Sequence, residues 1–75
     1  MNSAGLMQLT VVESTLLAGV AYDDPEMLRL EFRSGAIYCY FGVPSRIWQQ
    51  LMIAESKGTY FNRNIRGRFP FQRLD

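Results

Sequence analysis

Residues 27–41 read MLRLEFRSGAIYCYF, two apolar runs joined by Ser34 and Gly35. The first run alternates apolar and charged side chains, which is typical of a half-buried strand. Gly35 accepts the positive φ that a tight hairpin turn requires. The stretch therefore predicts an antiparallel hairpin, with strands near residues 27–33 and 36–41.

The register of this hairpin decides which side chains share a face of the sheet. With only Ser34 and Gly35 in the turn, Leu30 would lie opposite Cys39 on the apolar face. The same register would turn Tyr38 and Tyr40 to the opposite face. Cys39 is then predicted to be a buried apolar side chain rather than a nucleophile.

The flanking sequence extends the hairpin into an α+β domain. An apolar run near residues 16–22 ends at an Asp-Asp-Pro-Glu turn and predicts a preceding strand. Pro44 suits the start of a helix, and residues 45–56 carry apolar side chains at helical spacing. A short second helix is predicted over residues 59–66. The expected fold is a three-stranded antiparallel meander packed against one main helix, followed by the short helix and an extended basic tail.

The length and composition indicate a single folded unit. The chain has 75 residues, and 48% of them are hydrophobic, which is too rich for a disordered segment. We divide it into a flexible N-terminal tail (1–10), the domain (11–69) and a C-terminal tail (70–75). No apolar run approaches the ~20 residues of a membrane span, and no signal peptide is recognisable. We therefore expect a cytoplasmic protein that does not contact a membrane.

The residue counts argue against most kinds of site chemistry. There is no histidine and only one cysteine, so the chain has no Ser/His or Cys/His pair and too few ligands for a zinc site. The carboxylates of residues 23–26 are more simply a solvated turn than a calcium site, because they do not have the spacing of a calcium loop. We expect no catalysis, no cofactor and no metal.

Positive charge is concentrated in the last third of the chain. Residues 57–73 hold five positive charges, no acidic residue and four aromatic side chains. Arginine binds phosphate and aromatic rings stack on bases, so this segment predicts nucleic-acid binding. The candidate binding residues are Lys57, Tyr60, Asn62, Arg63, Arg66, Arg68 and Arg73, together with Tyr38 and Tyr40. The alternative is that the arginines pair with acids of the first half of the chain and only fix the tail.

Tyr38 and Tyr40 have two interpretations of their own. On an open sheet face they would form a stacking platform for unpaired bases. Under a covering helix they would be structural, with hydroxyls that find partners at the rim of the core, and this is the interpretation we favour.

Five segments follow one another along the chain in a characteristic order. They are Ser14…Tyr22-Asp23, Leu28-x-Leu30-x-Phe32-x-x-Gly35, Tyr38-x-Tyr40-x-x-Val43-Pro44, Ala54-x-Ser56-x-Gly58 and Tyr60-Phe61-Asn62-x-x-Ile65-Arg66. This series, over about residues 12–69, resembles the KTSC domain, a family named for its occurrence at the C-terminus of some lysyl-tRNA synthetases.

The resemblance implies a small α+β module, found also as stand-alone bacterial and phage proteins, and the synthetase fusions suggest a role in binding RNA or another nucleic acid. The positions that it carries over are Tyr38, Tyr40, Gly58, Tyr60, Asn62 and Arg66. Ala21 departs from the glycine that such sequences commonly have before the Tyr-Asp pair.

Three functions remain as hypotheses. The first is non-catalytic binding of nucleic acid, RNA first, by the C-terminal Arg/Lys and aromatic surface. The second is a protein-interaction module that acts as a homodimer or with a protein partner, through exposed aromatic side chains or an open sheet edge. The third is capture of a small nucleotide or phosphorylated ligand between Tyr60, Arg63 and Arg66.

Overall fold

The structure, a computed structural model, describes residues 9–74 of the chain. The elements in chain order are β1 (Thr10–Val11), β2 (Leu17–Asp23), β3 (Met27–Phe32), β4 (Ile37–Phe41), α1 (Ser45–Ile53), α2 (Lys57–Asn64) and β5 (Phe71–Arg73). The five strands form one antiparallel sheet in the order β1-β2-β3-β4-β5. The predicted α+β class, with two helices and an antiparallel sheet, is confirmed. No helix in the described range is long and apolar enough to cross a membrane.

The prediction of a three-stranded sheet is wrong, because a short strand is added at each edge. β1 and β5 have two and three residues, too few to show the period of two that identifies a strand in a sequence. β1 begins at Thr10, the last residue of the predicted N-terminal tail, and residues 1–8 of that tail lie outside the described part of the chain. β5 lies in the segment predicted to be an extended C-terminal tail.

Backbone hydrogen bonds fix β5 along the whole of β4. The Phe41 N–H donates to the Pro70 carbonyl at 2.9 Å, and the Leu74 N–H donates to the Ile37 carbonyl at 2.8 Å. The end of the described chain is therefore part of the sheet.

The β3–β4 hairpin forms where predicted, but its predicted register is wrong by one residue. The Phe32 N–H donates to the Ala36 carbonyl at 2.9 Å, so the loop contains three residues instead of two. Gly35 takes a φ of 97° in this loop, as is usual for the left-handed residue of a three-residue hairpin. Leu30 consequently lies opposite Tyr38.

This shift exchanges the two faces of β4, because side chains alternate along a strand. Tyr38 and Tyr40 lie on the face that packs against the helices, the face of Leu30, and not on the opposite face as predicted. Cys39 lies on the other face, opposite Arg29. It is buried, as predicted, and burial raises the pKa of its thiol although the Arg29 charge lowers it in part.

The core lies between the sheet and the two helices. Its largest fully buried side chains are Leu17, Val20, Leu28, Leu30, Val43, Leu51 and Ile65. Trp48 of α1 stacks on Tyr22 of β2, with ring centroids 5.0 Å apart and planes 6° from parallel.

The boundary between the two helices differs from the prediction. α1 ends at Ile53, and the following residue already has an extended backbone. The Ser56 hydroxyl accepts a hydrogen bond from the Thr59 N–H at 3.3 Å and caps α2. Gly58 lies in the first turn of α2. The early cap brings α2 back over the sheet, with Phe61 buried against it.

Candidate functional site

A groove of about 570 Å³ opens between the C-terminal half of α2 and the β4–β5 edge of the sheet. We call it the aromatic groove, because five of its lining side chains are aromatic. The rings and polar side chains that line it are Phe32, Tyr38, Tyr40, Phe61, Phe71, Ser34, Asn62, Arg66 and Arg73. Among residues 9–74, no carboxylate, thiol or imidazole lines this groove, so the chemistry of the described lining is that of rings, phenols, one aliphatic hydroxyl, one amide and guanidinium groups.

The rings form a continuous wall from solvent to the core. The Phe71 ring centroid lies 5.3 Å from that of Tyr38 and 5.4 Å from that of Tyr40. Behind them, Phe61 meets Tyr40 edge to face at 5.8 Å. Phe71 is 56% exposed, whereas Tyr40 is only 4% exposed. A flat ligand that reaches this wall would meet Phe71 first and the two tyrosines behind it.

The two tyrosines of the groove, Tyr38 and Tyr40, differ from the other two tyrosines of the chain in the hydrogen bonding of their hydroxyl groups. Tyr22 and Tyr60 donate their hydroxyl hydrogens to protein oxygens, at 2.6 and 2.8 Å. Within residues 9–74, the hydroxyls of Tyr38 and Tyr40 make no hydrogen bond, and neither is shut away from solvent. Because a phenol in a protein interior usually has a polar partner, the groove offers two unused hydroxyls to whatever enters it.

Arg66 brings positive charge to the inner end of the wall. Burial raises the pKa of the Tyr40 phenol, the neighbouring Tyr38 adds to this, and the Arg66 charge lowers it in part. The guanidinium therefore acts electrostatically on Tyr40. The same guanidinium donates to the Asn62 side-chain oxygen at 3.4 Å, one turn earlier on α2. Both side chains are exposed, and a ligand can reach them.

The C-terminal segment supplies the second guanidinium. Gly67 follows α2 with a φ of 74°, a left-handed conformation that ends a helix and reverses the chain. The reversed chain pairs with β4 and places Arg73 over Tyr38, with the guanidinium carbon 5.9 Å from the ring centroid. This distance is within the range of a cation–π interaction.

The structure brings five of the nine predicted site residues together. Tyr38, Tyr40, Asn62, Arg66 and Arg73 all line the aromatic groove. Phe71 is the main lining residue that the predicted site did not include. Phe71 and Arg73 follow a proline and lie two residues apart, as do side chains on one face of a strand. A strand of three residues is too short for this pattern to identify it.

The other four predicted site residues lie outside the groove. The Lys57 ammonium donates to two backbone carbonyls at the end of α1, at 3.0 and 3.1 Å. The Tyr60 hydroxyl donates to the side chain of Gln50, which ties the two helices together. Arg68 donates to the Arg63 carbonyl at 3.0 Å. All of these acceptors are uncharged, so these contacts do not neutralise the charges of Lys57 and Arg68.

The described part of the chain contains no cluster of side chains that could bind a metal ion. Within residues 9–74, no group of three or more His, Cys, Asp or Glu side chains lies close enough to bind one.

Comparison with known proteins gives a consistent set of relatives. The sequence profile of the KTSC domain matches residues 13–69. A lysine–tRNA ligase from Nostoc punctiforme is 38% identical over 63 residues, which are 83% of this chain and 11% of the ligase. A protein from Stutzerimonas stutzeri is 34% identical over 71 residues, which are 92% of this chain and 100% of that protein. The chain thus spans about a tenth of the ligase and the full length of the small relative.

A solved structure shares the fold. The crystal structure of a KTSC domain protein from Yersinia pestis matches with a TM-score of 0.89 and 37% sequence identity, over 93% of this chain and 100% of that chain.

Proposed function

This chain belongs to the KTSC domain family, and we propose that it is a non-catalytic domain that binds nucleic acid, RNA first, in the aromatic groove. The observation that carries the proposal is the position of Tyr38 and Tyr40. Their rings and unused hydroxyls lie in a groove whose two polar sides hold Arg66 and Arg73. Rings with adjacent guanidinium groups match the two chemical parts of a nucleotide, the base and the phosphate.

Stacking is the first contribution. The stacking of one base on a protein ring contributes roughly 1–3 kcal/mol to the binding free energy, as measured when the ring is removed by substitution with alanine. Phe71 is exposed enough to receive a base, and Tyr38 stands beside it, with centroids 5.3 Å apart. The groove therefore provides a stacking surface that accepts any base, since every base has a flat face.

Charge is the second contribution. Arg66 lies two residues beyond the end of α2 and Arg73 lies on β5, so the two guanidinium groups approach the groove from different parts of the chain. A phosphate chain that passes along the groove would meet both of them. Arg63 and Arg68 are exposed next to the end of α2 and would add weaker, more distant attraction.

The groove supports binding rather than catalysis. A guanidinium group and a phenol whose pKa is raised, as in Tyr40, are poor general bases near neutral pH, and among residues 9–74 no carboxylate, thiol or imidazole lines the groove. The cytoplasmic location expected from the sequence is part of the same proposal.

The relatives support RNA as the class to test first. Three of them are named lysine–tRNA ligase, from two Nostoc species and Trichormus variabilis. The chain matches 11% or less of each ligase, so the name gives a reason to choose RNA and nothing about the ligase reaction.

The experiment is a binding titration of the whole chain with a fluorescently labelled RNA, read by anisotropy at several salt concentrations. The proposal predicts binding at low salt that weakens as salt is added, because bound phosphate displaces counterions. Absence of binding at low salt, or binding that salt does not change, would reject it.

A small nucleotide or phosphorylated ligand is the second candidate, because the volume of about 570 Å³ lies in the range of small-ligand pockets. This function predicts that free nucleotides raise the melting temperature of the protein. A melting temperature that no nucleotide changes would remove this candidate.

A further inference from the structure

The aromatic groove also indicates which form of RNA it can accept. We infer that it binds an unpaired nucleotide of a single strand and excludes the double helix. This inference rests on the proposed function and makes it more specific, because it names the state of the RNA that the site selects.

The depth of the rings is the first argument. Tyr40 is 4% exposed and Tyr38 is half-buried, and both lie behind Phe71 in the wall of the groove. In a double helix the faces of the bases are covered by their stacked neighbours, so a protein reaches only the edges, the sugars and the phosphates. A base can lie against these rings only after it has left the stack, as in a loop, a bulge or a free strand.

The size of the groove is the second argument. A volume of about 570 Å³ suits one ligand the size of a drug molecule, roughly one nucleotide of a longer strand. A duplex is far wider than such an opening, and its phosphates would touch the rim without filling the space between α2 and β5.

The polar groups inside the groove are the third argument. Asn62 has its side-chain oxygen occupied by Arg66, so its amide N–H groups remain as donors. The hydroxyls of Tyr38 and Tyr40 make no hydrogen bond within residues 9–74. These groups suit the carbonyl and ring-nitrogen acceptors on the edge of a base, which are already paired in a duplex.

The test compares one RNA sequence in two forms, an unstructured single strand and the same strand annealed to its complement. Both are titrated with the full chain at one low salt concentration. We expect the single strand to bind about tenfold more tightly or better, the amount that one stacked base contributes. We also expect Phe71→Ala to weaken the single strand and to leave the duplex unchanged.

A second readout follows the base itself. A strand that carries the fluorescent base 2-aminopurine should change in emission when the base stacks in the groove, and Tyr38→Leu should reduce that change. Circular dichroism of each variant establishes that it is folded.

Three outcomes would overturn the inference. Equal affinity for strand and duplex would reject single-strand selection and leave the proposed RNA binding in place. A free mononucleotide that binds as tightly as the strand would show a small-ligand pocket instead. Failure of both RNA forms to bind at low salt would reject the proposed function and this inference with it.

Discussion

Arg73 lies over the ring of Tyr38, with its guanidinium carbon 5.9 Å from the ring centroid, because the two residues face each other across the β4–β5 ladder. This contact is one of several that join the basic C-terminal segment to the hairpin. It places the guanidinium of an exposed side chain beside an aromatic surface. The rest of the aromatic groove, with Phe71 and Arg66, is arranged around it.

Arg66→Ala should weaken RNA binding and flatten its salt dependence. For single strands, the slope of log affinity against log salt is about −0.7 for each neutralised phosphate, so two guanidinium contacts predict about −1.4 and the variant about −0.7. Anisotropy titrations at four or more salt concentrations measure the slope.

Arg63→Ala is the matched control, since it removes the same charge from an exposed position three residues earlier, in the last turn of α2 and outside the groove. We expect it to keep a slope close to that of the wild type. If both variants flatten the slope equally, the phosphates follow the general positive field of α2 and not the groove.

Phe71→Ala should reduce the affinity for single-stranded RNA by roughly 1–3 kcal/mol, the value of one stacking contact. Its ring is 56% exposed and lies against Tyr38 and Tyr40, so the fold should remain while the stacking surface is lost. Leu74→Ala removes another exposed apolar side chain close by, one that does not line the groove. A similar loss in both variants would indicate damage to β5, and unchanged affinity in Phe71→Ala would exclude stacking on this ring.

The central strands, the helices and the turn positions could be predicted from the sequence, but the hairpin register could not. In β3, apolar and charged residues alternate, so the buried face is evident. In β4, residues 37–41 are apolar or aromatic at every position. A pairing register shifted by one residue would therefore place no charged side chain of β4 in the core. Only the loop length decides the register, and a Ser-Gly pair fits a two-residue and a three-residue loop alike.

The geometry of the site depends on this register and on β5, neither of which was predicted correctly. The residue types of the site were therefore predicted better than their arrangement. The residue types needed for nucleic-acid binding could be recognised in residues 57–73. Which of these residues line the groove could not be predicted. Lys57 and Arg68 donate hydrogen bonds to backbone carbonyls, whereas Arg66 and Arg73 line the groove. Arg73 reaches the groove because the chain reverses after α2 and β5 pairs with β4, a contact between residues that are distant in the sequence.

Leu51→Ala should destabilise the domain by about 2–5 kcal/mol, because it leaves a cavity at a fully buried position of α1. Ile53→Ala, two residues later on the same helix, should change the free energy of unfolding by only about 0.5 kcal/mol, since Ile53 is 84% exposed. Urea denaturation followed by circular dichroism measures both. Equal effects would mean that α1 is rotated about its axis relative to the structure described here.

The raised pKa of Tyr40 makes stability depend on pH and allows a test of the electrostatic effect of Arg66 on this phenol. Burial, followed by the effect of Tyr38, raises the pKa of the Tyr40 phenol above its ordinary value of 10.0, and Arg66 opposes this. The folded protein thus binds the phenolic proton more tightly than the unfolded chain does. The resulting stabilisation is fully present below the unfolded pKa and is lost as the pH rises through the folded pKa.

Arg66→Ala removes the only opposing influence on Tyr40 described above, so the pKa of the phenol should rise further and its ionisation should move to higher pH. Ultraviolet absorbance of tyrosinate follows the titration, and a Tyr40→Phe variant identifies which part of it belongs to Tyr40. Arg63→Ala should leave that part in place, because Arg63 does not line the groove. A Tyr40 titration that is unchanged or moves to lower pH in Arg66→Ala would show that the Arg66 guanidinium does not act on the Tyr40 phenol.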